Sequence, residues 1–151
     1  MDRRQFLLAI PCGALLSSSA SAQEPGRVYR LAVISPAERA VEEMRNLQVP
    51  ELARLGFVVG RNLTLTTYVG PPALMPELAR QAIATKPDVV VAVSTVAILA
   101  VKEASSTVPI VMSFIGEDPV ARGLAVSLAR PGGSTTGVAM LAFLQPTKNR
   151  C

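Results

Sequence analysis

The chain has 151 residues, half of them apolar and only 4% aromatic, with a formal net charge of +4 and neither His nor Trp. This much apolar content excludes a disordered chain, and the length suits one domain or part of a larger protein. The charges are scattered with no basic stripe, which argues against a nucleic-acid surface.

The first 22 residues read as a leader. "MDRRQ" is a basic start, "FLLAIPCGALL" a short apolar run, and "SSSASA" a small-residue end with Ala20-Ser21-Ala22 as the cleavage pattern. The apolar run is too short to span a bilayer. Arg3-Arg4 before Phe6-Leu7 fits a twin-arginine signal, and general-route signals also start with two arginines. Cys12 follows Ala9-Ile10-Pro11, a poor lipidation box. Cleavage before Gln23 removes Asp2, Arg3 and Arg4, which lowers the formal charge from +4 to +3. Cys151 is then the one cysteine left, so neither an internal disulfide nor a Cys or His metal site is expected.

"VYRLAVIS" (28–35) predicts a first strand, and residues 37–55 a helix that Pro50 must kink or split. "GRNLTLTTYVG" (60–70) alternates, with Leu63, Leu65, Thr67 and Val69 on one face and Thr64, Thr66 and Tyr68 on the other. Pro71-Pro72 opens a helix whose core stripe is Met75, Leu78, Ala79, Ala82 and Ile83. A third strand is expected over 88–93, a helix over 95–105 and a fourth strand over 108–114. A further helix is expected over 119–129, stopped by "RPGG", and a fifth strand over 134–140.

Strands alternating with helices imply an α/β fold, a three-layer doubly wound parallel sheet. Right-handed crossovers favour the flavodoxin-like order 2-1-3-4-5. Ligands of such sheets sit beyond the strand carboxyl ends where the order reverses, here between strands one and three. Those ends carry Ser35-Pro36 and Ser94-Thr95. The helix after Ser94-Thr95 offers unpaired N–H groups to a carboxylate or other small anion. The same pair also suits an N-cap, and one residue can do both. After strand four, Glu117-Asp118-Pro119 places two carboxylates at this rim. Asp118 suits a cap for a helix starting at Pro119, or an acceptor for a ligand ammonium.

No triad, nucleophile elbow or P-loop is present, so catalysis is not expected, nor a metal or cofactor. Asn62-Leu63-Thr64 matches a glycosylation sequon, but inside a strand and behind a bacterial-looking leader it reads as chance.

"GRVYRLAVISP", "LARLGFVVGRNLTL", "KPDVVVAVSTVAILAVKEASSTVPIVM" and "GEDPVARGLAVSLARPGGSTTGV" occur in this order. Over residues 28–141 the chain resembles the substrate-binding proteins of ABC uptake transporters, in the group that includes tryptophan and tyrosine binding proteins. The resemblance implies one lobe of a type I periplasmic-binding-protein fold, with two lobes, a hinge and a cleft in the whole protein. It implies binding of a small-molecule solute without chemistry, in the periplasm, and delivery to an ABC permease with its ATPase subunit. Carried over, the ligand contacts are Ser35, Ser94, Thr95 and Asp118.

The expected organisation is a signal peptide at 1–22, an α/β lobe at 23–141 and a divergent tail at 142–151. Members of the group are longer, so the sequence reads as truncated to about the first lobe, by a frameshift or early stop. Such a lobe is expected to self-associate. The proline within "VEEMRNLQVPEL" also departs from the group's pattern. The alternatives are a receiver-like regulatory domain and a small hydrolase. A receiver needs an Asp where Ser94 stands, and the hydrolase lacks a His.

Overall fold

The computed structural model describes residues 26–127 and 132–139. The leader, residues 140–151 and therefore the predicted tail lie outside the described residues. Five strands form one sheet: β1 Tyr29–Ser35, β2 Leu63–Val69, β3 Val89–Val93, β4 Ile110–Ile115 and β5 Thr135–Ala139. Their order is β2-β1-β3-β4-β5 and every pairing is parallel, as the alternation of elements predicts. The helices are α1 Glu38–Glu43, α2 Val49–Arg54, α3 Met75–Ala84 and α4 Thr95–Ala104. Among the described residues, no helix is long and apolar enough to cross a membrane.

The period of two in the central strands divides the core into two layers. Ala32, Ile34, Val90 and Ala92 face α3 and α4, where they meet Met75, Ala79, Ala82, Ile98 and Val101. Leu31, Val33, Val91 and Val93 face the other way, onto Val41, Met44 and Leu63. In β2, Leu63 and Leu65 pack in this second layer and Tyr68 in the first, as its alternation predicts. A fully buried Leu or Ile contributes about 1.5–3 kcal/mol, so these two layers hold the sheet against its helices.

Pro50 splits the first helical run, as the sequence predicts. It has no N–H for the carbonyl of Asn46, and its ring would press on that carbonyl in an ordinary α-turn. The chain widens into a π-helical segment, Met44–Gln48, and α2 starts afresh with Pro50 in its first turn. At the amino ends of the strands, Asp88 accepts from the Arg30 N–H at 2.8 Å and from the Arg27 guanidinium at 2.6 Å. This clamps β1 to β3.

Residues 119–127 do not form the predicted helix. One turn closes, with the Arg122 N–H donating to the Asp118 carbonyl at 3.1 Å and the Leu124 N–H to the Pro119 carbonyl at 2.8 Å. Gly123 then turns left-handed, with φ +67°, and ends it. The composition of "VARGLAVSLAR" is helical, but a glycine free to take positive φ overrides propensity here.

Candidate functional site

Sheet order reverses between β1 and β3, so the loops after these strands flank the crevice where ligands of such folds bind. The loops from β1 to α1 and from β3 to α4 leave neighbouring strands there, and the loop after β4 leaves the next strand. Ser35, at the end of β1, is fully buried, and its hydroxyl donates to the Ala37 carbonyl at 2.9 Å and accepts from the Ala37 N–H at 3.1 Å. That hydroxyl is closed onto its own loop.

Ser94 is different. Its N–H donates to the Ser113 carbonyl of β4, and its carbonyl accepts the first N–H of α4, from Ile98, each at 3.1 Å. Tied on both sides, the residue sits at φ 86°, ψ 155°, a region nearly reserved to glycine. The cap predicted for it does not form: no side-chain hydrogen bond caps α4. Its Oγ is buried and has no partner among the described residues. The strained backbone turns the hydroxyl inward, away from the N–H groups an ordinary cap would reach. Among the described residues, no side chain satisfies the first N–H groups of α4, which have the positive end of the helix dipole behind them.

Thr95 begins α4, and its Oγ1 donates to Glu117 Oε2 at 3.2 Å across the gap between the two loops. Glu117 Oε1 accepts from the Arg122 guanidinium at 2.6 Å. The Arg122 hydrogen bond, with the Thr95 hydroxyl in support, holds the Glu117 carboxyl below its ordinary range, and Glu117 in turn raises Arg122. Asp118 Oδ1 accepts from the Val120 N–H at 2.9 Å and the Ala121 N–H at 3.4 Å. It thus caps its own turn, one of the two roles open to it in the sequence, although the turn is not a helix. Ser94, Thr95 and Ser35 stand at neighbouring strand ends. The acidic group that reaches Thr95 is Glu117, whereas the sequence singles out its neighbour Asp118.

An apolar cavity of about 640 Å³ lies elsewhere. It opens on the sheet face beside α2, between Leu47, Leu55, Phe57, Val89, Val91 and Val111, toward the amino ends of the strands. Its wall is almost wholly apolar and lacks the converging polar groups that orient a small ligand. It is the part of the second core layer that no described element covers. Among the described residues, no three His, Cys, Asp or Glu side chains group as a metal site requires. Asn62 is also occupied: its amide donates to the Gly56 carbonyl at 2.9 Å and accepts from the Val58 N–H at 2.8 Å.

The family described as ABC transporter substrate binding protein matches residues 52–147. No curated protein matches the chain. Among solved structures, a conserved domain protein from Vibrio cholerae is 31% identical, with a TM-score of 0.69 over 75% of this chain and 39% of that one. A substrate binding protein with adhesive properties from Clostridium difficile, in a ligand-free open structure, is 25% identical, with a TM-score of 0.67 over 74% of this chain and 39% of that one. An ABC domain from Streptococcus pneumoniae in complex with L-Trp is 22% identical, with a TM-score of 0.65 over 75% of this chain and 38% of that one. At that identity the last shows the fold alone. The chain spans about two fifths of the length of these solved relatives, 39% of the first two.

Proposed function

The chain belongs to the ABC transporter substrate-binding protein family, and on that premise we propose that it binds a small solute, an amino acid or a close analogue, for uptake. The observation that carries the reading is the uncapped start of α4 at the β1–β3 switch point, beside Thr95 and the ion-paired Glu117. Open N–H groups at a helix start accept a carboxylate. The Ser94 hydroxyl, unpartnered at rest, gains an acceptor if it turns toward such a ligand. Ser35 shapes the facing wall, and Asp118 holds the loop that carries Glu117.

The role is binding without chemistry, in keeping with the substrate-binding family to which the chain belongs. The leader motivates export to the periplasm, where the solute is handed to a permease driven by its ATPase. The lobe supplies one wall of a two-walled cleft. Taken alone, residues 23–151 are expected to bind weakly and to self-associate.

The test is a ¹H–¹⁵N titration of the chain with a panel of amino acids and unrelated small solutes. Millimolar binding is readable in this way. The expected result is shifts centred on 94–98 and 117–122. A panel that moves no signal at the strand carboxyl ends, or moves only those lining the apolar cavity, refutes the reading.

A further inference from the structure

The apolar cavity beside α2 is a gap in the second core layer, and the chain enters the fold at its edge. Tyr29, the first residue of β1, lines it together with Phe57, and the two rings meet edge to face with centroids 5.2 Å apart. The Arg27 guanidinium lies 4.9 Å from the centre of the Tyr29 ring, so the residues ahead of β1 are already held against this wall. At the helical rim, Leu47 and Leu55 are 69% and 70% exposed, two large apolar side chains turned toward water.

We propose that this groove is the docking site of the apolar run of the leader, residues 6–16, in the chain before cleavage. The run carries Phe6, Leu7, Leu8 and Ile10 within five positions, side chains that such a groove takes out of water. The thirteen steps from Leu16 to Tyr29 span up to about 45 Å, whereas β1, β3 and β4 lie side by side within about 10 Å. The connection is therefore long enough to reach, and the tether favours the leader over a second copy of the chain. Gly26, at φ +82°, lets the chain turn just before β1. The charges agree. Glu51 at the rim stands in an exposed pair with Arg54, which a second guanidinium can share, and Arg3 and Arg4 precede the run. Docking toward the amino ends of the strands leaves the start of α4, at their carboxyl ends, untouched. The leader then serves as a removable cover. It keeps newly made chains from associating through the groove, and cleavage on export uncovers it.

The test uses the whole chain, 1–151, purified before export, with Cys151→Ser so that Cys12 inside the run is the one native thiol. Leu47→Cys places a second thiol on the rim of the groove. Leu74→Cys is the control, at a site 50% exposed just ahead of α3, which packs in the other layer. Under mild oxidation at high dilution, Cys12 is expected to bridge to position 47 within one chain, and to position 74 roughly tenfold less. Leu7→Asp with Leu8→Asp is expected to lower the bridge at 47 by roughly tenfold, since the burial of two leucines is forfeited. These two changes lie in the leader, so β1–β5 are expected to fold as before, which far-ultraviolet circular dichroism checks. Equal bridging at 47 and 74 overturns the proposal, as does a lack of bridging at both. A bridge at 47 that joins two chains rather than one makes a second copy the occupant and also overturns it. A bridge at 47 that survives both aspartates shows tethering without docking, and the proposal falls.

Discussion

Replacing Ser94 with Gly removes a side chain from the site and is nevertheless expected to stabilise the lobe. A non-glycine residue at φ 86°, ψ 155° costs about 1–3 kcal/mol. A buried hydroxyl without a partner adds about 1–3 kcal/mol. Against these, glycine loses about 0.4–1 kcal/mol more backbone entropy on folding. No cap is forfeited, because none is made. The balance is a gain of about 3 kcal/mol, which for a urea slope of about 2 kcal/mol/M moves the midpoint up by about 1.5 M. Ser94→Ala separates the two contributions: it removes the hydroxyl and keeps the strain, so its midpoint falls between those of the native and Gly forms. Urea unfolding followed by far-ultraviolet circular dichroism reads all three. A native protein more stable than both variants refutes the reasoning and means that the hydroxyl is engaged after all. A Gly form no more stable than the Ala form means that the backbone is unstrained.

Gly137→Ala is expected to destabilise by about 3 kcal/mol or more, because a Cβ there runs into the backbone of Met112 where the β4–β5 register shifts; an unchanged thermal midpoint would contradict this. The Arg30 backbone hydrogen bond, and after it Arg27, hold the Asp88 carboxyl below its ordinary value of 3.8. Its folded pKa lies below the unfolded one, so its contribution is complete above about pH 4 and is lost as acid protonates it. Acid titration of stability is therefore expected to fall below pH 4 more steeply in the native chain than in Asp88→Asn, and equal slopes would contradict it. Cleavage after Ala22 is expected on export, so mass spectrometry of periplasmic extract finds a start at Gln23; a protein starting at Met1 would count against the leader.

The sheet was legible in the sequence because buried parallel strands advertise themselves. "VVVAV" and "RLAVIS" are apolar on both faces, and the helices between them carry a single apolar stripe. The strand order then follows from handedness. The site was legible only to its neighbourhood. Ser94 looks like any helix cap in one dimension, and its positive φ accompanies a backbone hydrogen bond to Ser113 of β4 that only the fold brings within reach. Glu117 and Asp118 are adjacent carboxylates, and which one faces Thr95 depends on a turn that Gly123 cuts short. The accommodation of Pro50 was likewise hidden, since propensity describes α-turns and the chain uses a wider one.

The clamp at Asp88 also bears on how the lobe is born. Arg30 and Asp88 are 58 residues apart, and β1 takes β2 on one edge and β3 on the other. No two strands are joined by a hairpin, so no ladder can form from neighbouring residues. A growing chain that has reached residue 85 can close one edge of β1 and leaves the other bare, with Leu31 and Val33 on one side and Ala32 and Ile34 on the other. Such an edge is a template for wrong partners. Folding that waits on long-range contacts is slow. β3, which begins just after Asp88, covers that edge, and the Asp88 carboxylate sets its register by taking the Arg30 N–H. The bare edge then passes to β3 and to β4 in turn, until the last strand pairs.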